Sequence, residues 1–343
     1  MSSSTRRNNV ATATERTAVS APVAVREALR RTFVTLGLPP FLLAGVFAYF
    51  AVDQPRFVSY LNITNMAQQA TYLMVITMGQ MLVLLSRNYD LSVGSTVALT
   101  SVVLAKTMTS VDGDTAAIVL GVLAGMGVGI GVGLVNGLVV AIFRVSSFMV
   151  TFGMLQIAFG LALLLSSGTP IVGLPNDFVL TLGVDDWFKI PVSVWLTLGL
   201  LVLFYILLNW TRLGRNAYAI GGNENAARLS GIPVGRNLVY LFVLCSFLTA
   251  LSGIMLTART STGEANIGSQ YPLQSIAACA LGGISLFGGE GRLSGAVIGV
   301  CFIIVLSNGM DLVNISSYTQ LIVLGSLLIV ALIGNRLQKR LAT

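Results

Sequence analysis

The sequence predicts an all-α integral membrane protein with about ten transmembrane helices, and three observations carry that prediction. Of 343 residues, 55% are hydrophobic and 10% charged, with a mean hydropathy of +0.85, far from the balance of a water-soluble domain. The charges fall in short clusters separated by apolar runs of roughly the ~20 residues a helix needs to cross a bilayer. Alternating segments of ~10 residues, the mark of a transmembrane barrel, are absent.

Ten candidate spans follow: 33 to 52, 66 to 86, 92 to 110, 116 to 143, 147 to 166, 190 to 209, 238 to 258, 273 to 288, 292 to 310 and 319 to 335. Residues 1 to 32 are rich in Ser, Thr, Ala and Arg and reach no apolar stretch before Phe33, so they read as a disordered cytoplasmic tail and not as a cleavable signal. The membrane domain covers 33 to 338 and contains a polar island at 210 to 237. With the N-terminus inside, sixteen of the twenty basic residues fall on the cytoplasmic side, among them Arg87, Arg144, Arg212, Arg215, Arg228, Arg236, Arg292 and Arg336. Only Arg56, Lys106, Lys189 and Arg259 fall outside, a bias that sets both termini in the cytoplasm. The same bias explains the net charge of +7 without a nucleic-acid partner. Lipid is the medium these spans face.

The fourth span carries Gly121, Gly125, Gly129, Gly133 and Gly137 at four-residue spacing. That spacing makes one smooth stripe where another helix backbone can approach closely, since lipid supplies no hydrophobic force to join helices. Packing within one subunit is the favoured expectation, and a subunit interface the alternative. Cys245, Cys279 and Cys301 lie in apolar runs without paired spacing and read as small buried hydrophobes. The chain contains no His, so a His-based metal site or proton relay is excluded.

The span interiors hold few ionisable groups, whereas ion-coupled transport ordinarily uses an intramembrane charge. Neutral amides remain: Gln68, Gln69, Gln80, Asn136, Gln156, Gln274, Asn308 and Gln320. Such groups suit the path of a neutral, hydroxyl-bearing solute. Gln69 and Gln80 share one face of the second span, and Phe148, Phe152 and Phe159 share a face of the fifth, where a lipid-facing or packed stripe is the favoured expectation and contact with the solute the alternative. Asp90, with Ser92 and Ser95, is expected to cap the third span, with gating or solute contact as the alternative. The candidate path therefore comprises Gln69, Gln80, Asp90, Asn136, Phe148, Phe152, Gln156, Gln274 and Asn308. No lysine stands in a phosphate-loop context, so nucleotide hydrolysis by that route would need a separate subunit.

The island, RLGRNAYAIGGNENAARLSGI, offers a contact for such a subunit. Asn223 suits an N-cap, Glu224 complements the helix dipole, and residues 225 to 230 allow about two turns before Gly231 and Pro233 stop them. Gly221 and Gly222 upstream are expected to give a sharp, flexible lead-in.

GGNENAARLSGI at 221 to 232, YDLSVGS at 89 to 95, LGGISLFGGEGRLSGAVIG at 281 to 299 and SNGMDL at 307 to 312 are similar to the ribose-type permease subunits of bacterial ATP-binding-cassette importers. The resemblance covers about 33 to 338. It implies an importer permease of the ribose/branched-chain type in the bacterial inner membrane, moving a monosaccharide or polyol. It implies three partners: a cytoplasmic ATPase, a periplasmic or lipid-anchored sugar-binding protein, and a second permease copy or paralogue. The permease itself then needs no cofactor, because ATP is used by the partner. The island matches the family's coupling loop, which assigns ATPase contact to Gly222, Asn223, Glu224, Ala227, Arg228 and Gly231. Ribose-type permeases commonly carry two glycines and an Ile ahead of Asp-Leu-Ser-Val-Gly, where this chain has Ser86, Arg87, Asn88 and Tyr89. Other pentoses, hexoses and sugar alcohols therefore stand beside ribose. A solute channel working without ATP and a secondary transporter are the alternatives from other classes.

Overall fold

The structure, a computed structural model, describes residues 39–342; the tail at 1 to 32 and the start of the first predicted span lie outside them. The described chain is helical: α1 (Pro39–Asp53), α2 (Tyr60–Leu85), α3 (Val93–Ser110), α4 (Asp114–Phe143), α5 (Ser147–Ser166), a short α6 (Asn176–Val179), α7 (Val192–Trp210), α8 (Arg212–Gly222), α9 (Glu224–Leu229), α10 (Val234–Thr260), α11 (Tyr271–Leu281), α12 (Leu293–Leu312) and α13 (Ser317–Ala342). The described strands are two-residue pieces, Asp186–Trp187 paired antiparallel with Ile190–Pro191.

Each predicted span contains a helix, but the ten are not alike. Among the described residues six helices, α2, α4, α5, α7, α10 and α12, are long and apolar enough to cross a membrane. The predicted span at 273 to 288 is corrected: α11 has 11 residues and so covers only ~16 Å, about half a bilayer core. It stops because Gly283 takes a left-handed φ of +77° and the chain turns into a glycine-rich loop over 282 to 292. This is the broken helix that the glycines of that motif permit.

Polarity is sorted from inside to outside. The candidate span of α2 is 89% buried although it is the least apolar of the six, while α5 and α7, far more apolar, are each only 22% buried. Lipid accepts apolar surface freely, so the helices carrying amides and hydroxyls are drawn to the centre, where they can find partners. Two such partnerships are Ser252 Oγ donating to the Tyr72 carbonyl at 2.9 Å and the Thr257–Ser101 hydroxyl pair at 2.7 Å.

The glycine stripe of α4 packs within the chain, as the favoured expectation held. Gly121 and Gly125 face Met108 and Thr100 of α3, and Gly129, Gly133 and Gly137 lie on the α10 backbone. A Cβ at Gly133 would stand 2.6 Å from the Val243 Cα, and one at Gly137 would stand 2.8 Å from the Val239 Cα. Alanine cannot be accommodated there without separating the helices.

Candidate functional sites at the two ends of the bundle

The polar island folds as two helices, one more than its sequence suggests. Thr211 caps α8 by accepting from the Gly214 amide at 3.3 Å. Gly214, Ala217, Ile220 and Gly221 form its buried face, with Arg215 exposed between them. Tyr218 reaches inward to donate to the Gly291 carbonyl at 2.9 Å, and Asn216 donates to Asn237 at 3.0 Å. Burial pushes the Tyr218 hydroxyl above its ordinary range, only partly offset by the Arg292 charge, so it stays protonated and able to donate. The flexible lead-in expected of Gly221 and Gly222 is corrected: both belong to the last turn of α8, and Gly221 is buried against Leu85 and Gly289.

α9 follows without a linker, and its ends are built as the sequence predicts. Asn223 Oδ1 accepts from the Ala226 amide at 3.0 Å. At the other end the Gly231 amide bonds to the Arg228 carbonyl and the Ile232 amide to the Ala227 carbonyl, each at 3.1 Å, with Gly231 at φ +81°. That pair of bonds is the Schellman closure, which only a residue at ease in the left-handed region makes cheaply. Glu224 and Arg228 pair with each other at 2.7 Å, one turn apart and half exposed. Ala227, at 4% exposed, faces the bundle and anchors the helix, whereas Leu229, two residues on, is 90% exposed. Leu229 escaped sequence reasoning because hydropathy alone cannot tell a docking residue from a core residue.

Between α2 and α3 the chain runs extended, with Asp90 and Ser92 buried, Asn88, Tyr89 and Leu91 half-buried and Arg87 exposed. Its amides are met by hydroxyls one helical turn apart on α5: Tyr89 N–H by Ser147 at 3.1 Å and Leu91 N–H by Thr151 at 3.0 Å. Two residues of extended chain advance about as far as one turn of helix, so the two rungs match. The expected capping is corrected in detail. Asp90 Oδ1 accepts from both the amide and the hydroxyl of Ser92, at 2.8 and 2.6 Å, and so closes a turn before α3 begins. Ser95 donates back to the Ser92 carbonyl and caps nothing. Asn136 of α4 donates to the Ser92 hydroxyl at 2.9 Å, which joins it to Asp90 through one side chain. Asp90 Oδ2, Asn136 Oδ1 and both amide atoms of Gln80 are buried without a partner in the chain.

The far end of α10 from α9, ~40 Å away along its 27 residues, borders a cleft of about 470 Å³. Asn65 and Gln69 of α2, Gln270, Gln274 of α11 and Gln320 of α13 line it, with Arg259 and Tyr72. No carboxylate lines it among the described residues. Carboxamides both donate and accept, as do sugar hydroxyls. Of the predicted path residues, Gln69 and Gln274 stand in this cleft. Gln156 lines a second cavity of about 190 Å³ with Phe159, separated from the first by Ile267 and Ser269, which border both. Gln80 lies on the buried stretch of α2 below the cleft, eleven residues or ~16 Å from Gln69.

Asn308 is elsewhere. It forms a reciprocal amide pair with Asn62 at 2.8 and 2.9 Å, and Asn62 also donates to the Phe57 carbonyl. Phe148 and Phe152, 47% and 49% exposed on α5, line neither cavity. Arg259 and Gln270 were missed because an outer arginine and a loop glutamine acquire meaning only once α2, α11 and α13 surround them.

Comparison with known proteins extends this geometry. Residues 62–332 match the family described as Branched-chain amino acid transport system / permease component. The L-arabinose transport system permease protein AraH of Escherichia coli (strain K12) is 38% identical over 87% of this chain and 90% of its own length. The ribose import permease protein RbsC of Bacillus subtilis (strain 168) is 39% identical over 87% and 92%, and the D-allose transport system permease protein AlsC of Escherichia coli (strain K12) 36% identical over 87% and 90%. No solved structure matches. These matches bear out the resemblance to ribose-type permease subunits that the island and the glycine-rich motifs carry, and the chain belongs to the branched-chain amino acid transport system / permease component family.

Proposed function

We propose that this chain is the membrane-spanning permease subunit of an ATP-binding-cassette importer that carries a neutral monosaccharide or polyol across the inner membrane. The observation that carries the reading is α9, a helix capped at both ends that holds Leu229, Glu224 and Arg228 at the surface of an otherwise apolar bundle. A structure so well closed by local bonds is suited to being pushed by another protein without melting. A separate cytoplasmic ATPase docks there, both termini lie on that side, and the chain has no nucleotide-hydrolysing site of its own. A second permease copy or paralogue completes the path, and an extracytoplasmic binding protein delivers solute to the cleft at the opposite end.

The cleft supports the solute class. Its volume exceeds that of a hexose and its amides match hydroxyls. The names of AraH, RbsC and AlsC support L-arabinose, ribose and D-allose as the first solutes to try. Alternating access then needs movement at α9 to open the buried stretch of α2 below the cleft, since a path that opened at both ends together would leak.

The test is uptake of each labelled sugar into proteoliposomes holding the complete importer purified by a tag on this chain. The expected result is uptake that requires ATP and the binding protein. Uptake by this chain alone without ATP would make it a channel, and uptake driven by an ion gradient a secondary transporter.

A further inference from the structure

Three segments remote in sequence meet backbone to backbone behind α8 and α9. Gly289 of the 282 to 292 loop donates its amide to the Leu85 carbonyl, the last residue of α2, at 2.9 Å. Gly221 sits over the same carbonyl, so a Cβ there would strike it and would stand 2.5 Å from the Gly289 amide nitrogen. Gly289 holds φ +75°, and a Cβ on it would lie 2.8 Å from the Gly222 Cα. Gly288, at φ +82°, lies as close to Arg87. Tyr218 of α8 and Tyr89 of the extended segment each fasten the loop, through the carbonyls of Gly291 and Leu286.

Both elements pinched at this junction reach the cleft at their other ends. α2 supplies Asn65, Gln69 and Tyr72, and α11, whose C-terminus runs into the loop, supplies Tyr271 and Gln274. Side chains between moving parts can change rotamer and absorb a displacement, but backbone set on backbone leaves little such slack. We propose that Gly221, Gly288 and Gly289 are positioning residues for transport, a side-chain-free joint that turns displacement of α8 and α9 into displacement of α2 and α11 around the solute. This rests on the reading that an ATPase docks on α9.

The experiment uses the complete importer in proteoliposomes and reads ATP hydrolysed and labelled sugar taken up in the same sample, with L-arabinose, D-ribose and D-allose as probes. Gly221→Ala and Gly289→Ala are expected to keep the co-purifying ATPase and its hydrolysis while sugar moved per ATP falls about tenfold, within the usual span of coupling between sites. Gly199→Ala, where an added Cβ meets nothing within 4 Å, is the control and keeps the wild-type ratio. Folded Gly221→Ala and Gly289→Ala complexes with a wild-type ratio of sugar to ATP would overturn the proposal. Where either glycine variant fails to accumulate, Tyr89→Phe with Tyr218→Phe decides, since it removes only the two hydroxyl bonds that fasten the loop. A ratio lowered about threefold supports the joint, and an unchanged ratio overturns it. Wild-type complex that takes up sugar without ATP defeats the docking reading itself, which is a different failure from coupled wild type with unaffected variants.

Discussion

The two ends of the bundle are organised in opposite ways. α9 is fixed by bonds that span three to five residues: the Asn223 cap, the Glu224–Arg228 pair and the closure over Gly231. The cleft has one local side-chain bond, Gln274 donating to Gln270 at 3.1 Å, and its wall is otherwise gathered from α2, α10, α11, α12, α13 and the loop before α11. A surface that is gripped and moved, as we propose for α9, benefits from holding its own shape. A path that opens and closes, as we propose for the cleft, benefits from walls on separate elements, each free to move with its helix.

The sharpest way to break this contrast is at Leu229. Leu229→Glu leaves the fold untouched, because the side chain is 90% exposed, yet it puts a charge where a partner would bury an apolar group. Uptake is expected to fall more than about tenfold with loss of the co-purifying ATPase, the scale of an interface hot spot. Retained ATPase and full uptake would mean that α9 is an ordinary solvated turn. Next in size is Gly231→Val, which forces a β-branched residue to φ +81° at a cost of about 1–2 kcal/mol and unwinds the end of α9. Asn223→Ala, which removes one capping bond worth about 1 kcal/mol, should lower uptake less. Both are read as transport rate against complex yield: a coupling role lowers the rate at constant yield, and an equal loss of the two would count against it.

That ordering also explains what the sequence could disclose. Asn223, Gly231 and the helix between them are readable because the chemistry that forms them lies within ten residues. The Tyr89 and Leu91 amides are not, because Ser147 and Thr151, which satisfy them, are some sixty residues away and resemble any other hydroxyls of a span start. The broken span at α11 was visible as glycines and invisible as a boundary, since 273 to 288 carries no charge to interrupt it. Asn308 was drawn into the path by its polarity, and only the fold reveals that Asn62 uses it up. Intramembrane polarity marks a residue as needing a partner; whether that partner is solute or protein is decided by packing.

At the cleft the effects should be smaller and of another kind. Gln69→Leu with Gln274→Leu removes two carboxamides from the wall, and the half-saturating solute concentration is expected to rise about three- to tenfold with the maximal rate kept. Asn308→Leu should behave differently, lowering the stability of the detergent-solubilised protein by about 1–3 kcal/mol because Asn62 is left short of a partner, with little change in half-saturation. A reversal of these two signatures would exchange their roles and dissolve the distinction between solute wall and internal brace.

The smallest effect is expected from Phe148→Ala with Phe152→Ala. Each ring is about half exposed on α5, a helix so little buried that most of its surface meets its surroundings. Rings at such positions pack against lipid at little gain over shorter apolar side chains, since the hydrocarbon is as apolar as they are. Uptake at low sugar concentration should stay within about twofold of wild type, because neither ring lines the cavity that the amides define. A fall to a small fraction of the wild-type rate, with the ATPase still bound, would show that solute passes along the outer face of α5. The path would then be built between two permeases and not inside one, and the local-versus-gathered contrast would have to be redrawn with half of the wall contributed by a second chain.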